Sequence, residues 1–204
     1  MKNTLSIAIA CAAMLTATAA QAEDYNWVFK TGVGFADPSS DNKTLANGSL
    51  EVDVGSDTEL TFTGEYLFTP SWGMELLASL PWEHDIKLNG VTAARVKQLP
   101  PTLSVQYHFN AGGAVSPFVG LGLNYTIFYS EHAEGPLSGA DLSLGSSLGP
   151  ALHAGLDFRL NDQWLITGDI RWVGMSTDVK VNGAKLGSVD IDPLVYGVAI
   201  GYRF

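Results

Sequence analysis

The fold is decided by the C-terminal stretch Asp192-Pro193-Leu194-Val195-Tyr196-Gly197-Val198-Ala199-Ile200-Gly201-Tyr202-Arg203-Phe204. From Leu194 onward, even positions carry large apolar or aromatic side chains, and odd positions carry small ones until Arg203. This period of two predicts a β-strand with one bulky apolar face. A strand of a soluble sandwich could alternate in the same way, but it would seldom end the chain on an aromatic residue. A lipid-facing strand of an outer-membrane barrel fits better, and the terminal Phe204 is typical of the signal that the barrel assembly machinery reads.

The first 22 residues have the pattern of a secretory signal peptide. Lys2 precedes an apolar run from Leu5 to about Ala19, and Ala20-Gln21-Ala22 forms the small-x-small cleavage site. The run is too short and too rich in alanine for a stable membrane span. Residues 23–204 are then the mature domain, which has no cysteine, because the only one is Cys11. That composition suits an exported protein in an oxidising periplasm.

The charge of the chain argues against nucleic acid as a partner, and its hydropathy is compatible with a membrane barrel. The formal net charge is −10, or −11 once Lys2 is removed, so nucleic acid is not expected as a partner. After the signal no apolar run approaches the ~20 residues of a membrane helix. A membrane-spanning chain of this kind must therefore form a closed barrel. The mature length of about 180 residues is enough for eight strands but not for sixteen.

Eight segments of the mature chain show strand periodicity. They are Tyr25 to Phe35, about Glu59 to Phe68, Gly73 to about Ile86, about Val96 to Phe109, Pro117 to Tyr129, about Leu148 to Leu160, Trp164 to about Ser176, and Leu194 to Phe204. Long polar connections are predicted at about 36–57, 87–94, 130–147 and 177–187, with the turn signals Asn89-Gly90 and Asn182-Gly183 in the second and fourth. They alternate with tight turns such as Thr69-Pro70-Ser71-Trp72 and Asn161-Asp162-Gln163. The pattern predicts an all-β protein, an eight-stranded antiparallel up-and-down transmembrane β-barrel with short periplasmic turns and long extracellular loops.

The parity of each strand also predicts which side chains face the lumen, among them Asn124 and Asp157. On the third strand, Trp82 is expected on the lipid face and Glu83 inside. The upper lumen is expected to hold small or apolar residues, namely Thr61, Thr63, Leu77, Ser79 and Phe128. The lower lumen is expected to be a charged periplasmic floor of Lys30, Glu65, Glu75, Arg159, Asp169, Arg171 and Arg203. An eight-stranded barrel is too narrow for bulk ion conduction. The simplest interpretation of the floor is a set of stabilising ion pairs.

Three further features have both a structural and a functional interpretation. Pro100-Pro101 removes two backbone donors from the fourth strand, which indicates either a kink near the loops or a break in the barrel wall that serves as a lateral opening. His108 and His153 lack further ligands at metal-binding spacing, so neither a metal nor a cofactor is expected. Ser104, Gln106 and His108 face inward two residues apart, but no acid completes a catalytic set, and we predict no enzyme activity.

Several motifs resemble the OmpW-like outer-membrane barrels. They occur in the family's order and are Gly73-Met74-Glu75-Leu76-Leu77-Ala78, Leu99-Pro100-Pro101-Thr102-Leu103, Pro117-Phe118-Val119-Gly120-Leu121-Gly122-Leu123-Asn124-Tyr125-Thr126, Asp192-Pro193 and Gly201-Tyr202-Arg203-Phe204. The resemblance implies a hydrophobic upper channel for small apolar compounds with sideways release into the membrane. In better-known members a leucine and an aromatic residue narrow this channel. Leu77 matches the leucine, whereas Arg171 stands at the aromatic position.

The sequence therefore favours an outer-membrane channel of a Gram-negative bacterium for passive uptake of small hydrophobic molecules. The expected partners are outer-membrane lipid, the assembly machinery through Phe204, and a small apolar solute. The alternative is a surface barrel that does not transport and instead binds partners through its acidic extracellular loops. A third possibility, a lipid-modifying barrel enzyme, would need the catalytic set that Ser104, Gln106 and His108 leave incomplete.

Overall fold

The computed structural model describes residues 26–38, 44–45 and 49–204, so the predicted signal peptide and Tyr25 lie outside the described residues. The described strands are β1 (Trp27–Asp37), β2 (Thr44–Leu45), β3 (Leu50–Val54), β4 (Asp57–Leu67), β5 (Trp72–Ser79), β6 (Trp82–Leu88), β7 (Val91–Leu99), β8 (Thr102–His108), β9 (Val115–Ala133), β10 (Leu142–Leu144), β11 (Ser147–Arg159), β12 (Trp164–Val173), β13 (Ser176–Val181), β14 (Ala184–Asp190) and β15 (Leu194–Arg203). A single 3₁₀ turn, Gly135–Leu137, is described beside them. No helix in the described ranges is long and apolar enough to cross a membrane.

Eight of these strands form a closed antiparallel barrel. Its circular order is β1-β4-β5-β8-β9-β11-β12-β15, and β15 pairs again with β1. The seam extends to the last residue, because Trp27 and Phe204 exchange both backbone hydrogen bonds at 3.1 and 2.9 Å. Closure leaves no unpaired edge among the eight, as a membrane-spanning sheet requires. The predicted eight-stranded barrel is confirmed.

The outer face of the barrel is apolar, as the strand parity predicts. Leu121, Leu123 and Val198 each expose more than 60% of their surface, which in a soluble protein would be costly. Near the short turns, aromatic pairs form a ring, with centroid distances of 5.0 Å for Trp27 and Tyr66 and 4.9 Å for Trp72 and Tyr107. Such a belt marks a membrane interface.

The long-loop end carries more strand than the sequence indicates. We predicted loops at 36–57, 87–94, 130–147 and 177–187, but these segments contain β2, β3 and β10 and continue β6, β7, β13 and β14. The turns Asn89-Gly90 and Asn182-Gly183 occur as predicted, with positive φ at all four residues, and the strands continue right up to them. The strands form because Val52, Val179 and Val189 are buried together above the barrel.

The predicted orientation of Trp82 is wrong. The third strand is interrupted at Leu80 and Pro81, between β5 and β6. Parity holds only within an unbroken strand, so the residues beyond the interruption point the other way. Trp82 is 3% exposed and lies inside, whereas Glu83 lies on the outer surface and pairs with Lys97 at 3.0 Å. This outward ion pair also places the upper limit of the apolar band just below β6 and β7.

Candidate functional site

The upper lumen opens into an apolar cavity built by the strands that extend above the barrel. Its empty volume is about 700 Å³, mouth included, and its twenty lining residues are apolar except for His84, Gln98 and Thr177. Phe128, predicted for the upper lumen, lines this cavity. A lining of this character suits a small hydrophobic molecule.

His84 and Gln98 form a buried polar pair in the cavity wall. His84 Nδ1 lies 2.6 Å from the carbonyl oxygen of Gly55, and its Nε2 lies 2.9 Å from Gln98 Nε2. Burial lowers the pKa of His84, which outweighs the opposite effects of the Gly55 carbonyl and the Asp57 carboxylate. His84 is therefore a neutral imidazole at neutral pH. Sequence reasoning missed this pair, because parity along the third strand put His84 on the same outer face as Trp82.

Trp82 crosses the lumen at the bottom of the cavity. Its register partner is Gln98, and Gln98 in turn pairs with Phe128, so all three lie at one level. The indole N–H donates to Ser79 Oγ at 2.7 Å. The far end of the ring reaches β1, two strands away around the barrel, where a Cβ added at Gly34 would lie 3.1 Å from Trp82 Cη2. Trp82 therefore narrows the lumen. The sequence did not predict this constriction, because parity put Trp82 on the outer face.

The other residues predicted for the upper lumen lie at or below Trp82. Thr61 shares the contact surface at Gly34 with the indole, and Ser79 receives the indole hydrogen bond. Thr63 is buried and pairs in register with half-buried Leu77. The predicted single upper lumen therefore consists of a wide cavity above Trp82 and a narrow section beneath it.

The barrel wall is interrupted beside Trp82, at Pro100 and Pro101. Pairing between β5 and β8 stops at Leu77 with Thr102 and resumes between β6 and β7 at Trp82 with Gln98. Within residues 49–204, no strand pairing joins 78–81 to 99–101. The interruption begins one residue after Gln98, which lines the cavity.

Asn124 holds the distorted segment from its other side. Its side-chain amide donates to the carbonyl oxygens of Pro100 and Pro101 at 3.0 and 3.3 Å and to Thr102 Oγ1 at 2.9 Å. The Tyr125 N–H donates to the Pro101 carbonyl at 3.0 Å. Asn124 is fully buried. The proline segment is therefore anchored to β9 and unpaired toward β5, so the interruption is one-sided.

Below the interruption, a cluster of buried charged side chains fills the lumen. Lys30 Nζ lies 3.6 Å from Glu65, 3.6 Å from Asp157 and 4.0 Å from Glu75. Arg171 Nη2 donates to Glu75 Oε1 at 2.8 Å. We call this set the ion cluster; its members are Lys30, Glu65, Glu75, His108, His153, Asp157, Asp169 and Arg171.

The structure divides the seven predicted floor residues into two groups. Lys30, Glu65, Glu75, Asp169 and Arg171 belong to the ion cluster. Arg159 lies nearer the short turns and donates to the carbonyl oxygens of Ala111 and Gly112 at 2.6 and 3.3 Å. Arg203 lines the same small cavity as Arg159 at that end.

Three residues outside the predicted floor, His108, His153 and Asp157, complete the ion cluster. His108 Nε2 lies 2.7 Å from Glu65, and Lys30 Nζ stands 5.1 Å from the ring centroid of buried Phe118. Gly120 leaves the space that the His153 ring occupies, since a Cβ there would overlap its Nε2. Strand parity already placed His108 and Asp157 inside. It did not predict which residues they contact, because those contacts depend on the register between strands.

Neither metal binding nor nucleophilic catalysis has a suitable arrangement. Over the described ranges, no group of three or more His, Cys, Asp or Glu side chains is placed to hold a metal ion. His108 turns one ring nitrogen to Glu65 and the other to Asp157, at 2.7 and 3.6 Å. The imidazole is thus directed at carboxylates, and the hydroxyl of Ser104 makes no hydrogen bond to a described group.

Known proteins resemble this chain over most of its length. The sequence profile of the OmpW family matches residues 24–204. Outer membrane protein W of Vibrio cholerae is 32% identical over 217 aligned positions that cover all of both chains. The dibenzothiophene metabolism operon protein PahQ of Pseudomonas aeruginosa is 29% identical over 196 positions, 90% of each chain. The crystal structure of the outer membrane protein OprG from Pseudomonas aeruginosa superposes with a TM-score of 0.78 at 31% identity, covering 87% of this chain and 95% of that one. These relatives confirm the predicted location in the outer membrane.

Proposed function

This chain belongs to the OmpW family of outer-membrane proteins, and we propose that it is a passive channel for small hydrophobic molecules, which leave sideways through the barrel wall. The solute enters the apolar cavity at the long-loop end, passes Trp82 and reaches the membrane beside Pro100 and Pro101. One observation carries the proposal: the cavity ends where the wall is interrupted, directly above a lumen filled with buried charges.

The ion cluster makes the straight route unfavourable for an apolar solute. Such a solute would have to push between Lys30, Glu75 and Arg171, and it could neither neutralise these groups nor bond to them. Leaving a buried charge without its partner costs several kcal/mol. At the interruption, passage breaks no strand pairing and keeps the solute among apolar groups. The sideways route is therefore the favoured one.

Trp82 is the movable part of this route. The indole must swing out of the lumen before a solute can pass from the cavity to the interruption. Its hydrogen bond to Ser79 opposes this movement by only about 1 kcal/mol, and the remaining cost is the packing of the buried ring. Thr61, Thr63 and Leu77 line the section that the solute then meets, which gives these predicted lumen residues their proposed role.

The relative PahQ supports an apolar solute. Its name places that protein in an operon for dibenzothiophene metabolism. Dibenzothiophene is an uncharged fused aromatic compound, and its chemistry fits a cavity whose lining is almost wholly apolar. We therefore propose solutes of this class, and a channel rather than an enzyme.

The test is the double variant Pro100→Val/Pro101→Val. Restoring two backbone donors lets the strand pair toward β5 and closes the interruption. We expect slower accumulation of a hydrophobic fluorescent probe in intact cells than with wild type at equal surface level. Pro150→Val is the matched control, because Pro150 lies in barrel strand β11, faces outward and is separated from the interruption by β9.

Each outcome distinguishes a different hypothesis. Unchanged accumulation in the double variant, with normal folding, would remove this exit from the route. Accumulation that does not depend on the protein at all would favour the surface barrel that binds partners through acidic loops. In that case the purified loops or the whole barrel should retain a host or bacterial partner in a pull-down assay at low salt.

A further inference from the structure

Gln98 carries an unpaired hydrogen-bond acceptor in the wall of the apolar cavity. The residue lines the cavity, is 3% exposed, and its Oε1 has no hydrogen-bond partner among the described groups. A buried amide oxygen without a donor is costly, and native structures rarely leave one unpaired without a reason. The cavity lining offers no donor to this oxygen, since His84 and Thr177 are the only other polar residues there.

The neighbouring contacts fix which end of the amide is free. The Gly55 carbonyl can only accept, so His84 Nδ1 must carry the proton that it donates to that oxygen at 2.6 Å. In a neutral imidazole Nε2 is then an acceptor, and Gln98 must turn its NH₂ group toward it at 2.9 Å. The oxygen is thereby directed away from His84. Thr177 cannot serve it either, because its hydroxyl donates to the Gly145 carbonyl at 2.7 Å.

We infer that the cavity is a binding site for a small apolar molecule carrying one hydrogen-bond donor, such as an aromatic alcohol, and that Gln98 Oε1 receives that donor. The nearly continuous apolar lining accepts the hydrocarbon part, while the one free acceptor fixes the orientation of the ligand. His84 is a positioning residue, since it acts only through the Gln98 amide. The inference deepens the proposed uptake function, because it names the class of solute that the entry cavity prefers.

The test compares two probes of similar shape, 1-naphthol with a donor and naphthalene without one. Binding is measured by fluorescence titration of the full barrel in lipid nanodiscs, with empty nanodiscs as the background. Gln98→Leu should weaken 1-naphthol about fivefold, the value of one net hydrogen bond. The same change should leave naphthalene binding equal or slightly tighter, because an unpaired acceptor is removed. Each probe is compared between wild type and Gln98→Leu, so its partitioning into lipid is the same on both sides and cancels.

Ser116→Ala is the matched control, since it removes another buried polar atom that has no described partner, at the short-turn end and outside this cavity, and should leave both affinities unchanged. His84→Phe frees the amide to turn and should reduce the preference for 1-naphthol while naphthalene still binds. Equal effects of Gln98→Leu on the two probes, or no binding above empty nanodiscs, would overturn the inference.

The inference and the uptake route can fail separately. Selective binding with no protein-dependent accumulation in cells would refute the route and keep the site. Protein-dependent accumulation with no preference between the probes would keep the route and refute the site. Heat-dependent gel migration checks that each variant still forms the closed barrel, so a variant that fails to fold is recognised and replaced by Gln98→Met.

Discussion

The ion pair between Arg171 and Glu75 can be used to measure how much the ion cluster contributes to the stability of the barrel. Their side chains meet at 2.8 Å and are only 4% and 3% exposed. We predict that Arg171→Leu strongly destabilises the barrel. The reason is that Glu75 would keep its charge inside the lumen without its nearest cation.

The magnitude follows from the groups that remain. Removing one partner of a buried ion pair costs about 3–5 kcal/mol. Glu75 would still have Lys30 Nζ at 4.0 Å, so we expect the lower end, about 3 kcal/mol. The double variant Glu75→Leu/Arg171→Leu removes both charges. Lys30 retains two carboxylates at 3.6 Å, and Asp169, which loses Arg171 at 3.7 Å, is partly exposed, so this variant should lose less than the single one, about 1–2 kcal/mol.

The assay is reversible urea unfolding in lipid vesicles, followed by tryptophan fluorescence. The control is Arg95→Leu, which removes an exposed ion pair on the outer surface and should change the midpoint little. A single variant as stable as the double variant, or as the wild type, would refute the view that the ion cluster is a tightly coupled buried network. It would also weaken the argument that the cluster blocks the straight route.

Three further predictions concern the cavity, the wall and the seam. Burial lowers the pKa of His84 below its usual 6.5, so the unfolded chain takes up the proton first. The contribution of neutral His84 to the free energy of unfolding is complete above pH 6.5 and decreases as the pH falls. Unfolding measured at about pH 7.5 and about pH 5 should therefore show a loss of stability that His84→Phe lacks. Asn124→Leu removes three hydrogen bonds at the proline segment and should lower the unfolding free energy by about 2–3 kcal/mol, whereas a cost near zero would mean that the segment needs no anchor. Deleting Phe204 removes the last hydrogen bonds of the seam and should reduce assembled protein in the outer membrane far more than deleting the turn residue Asn89; equal yields would count against a terminal signal.

The sequence alone determined the barrel and its two faces. The alternation from Leu194 to Phe204 is local, since successive side chains of an extended chain point to opposite sides wherever the strand lies. The same rule correctly placed Lys30, Glu65, His108 and Asn124 inside. Short-range turn chemistry likewise identified Asn89-Gly90 and Asn182-Gly183. These features need no knowledge of the neighbouring strand.

Only the tertiary structure decided which inward residues meet. Arg171 and Glu75 lie 96 positions apart in the chain, and their contact depends on how far each strand is shifted when the barrel closes. The interruption at Leu80 and Pro81 reversed the orientation of Trp82, because parity is lost once a strand breaks. The cavity could not be predicted from the polar connecting segments for a related reason. Residues such as Val52 and Val179 become strand and core only when several long loops pack together, and that packing is a property of the assembled end of the barrel rather than of any one segment.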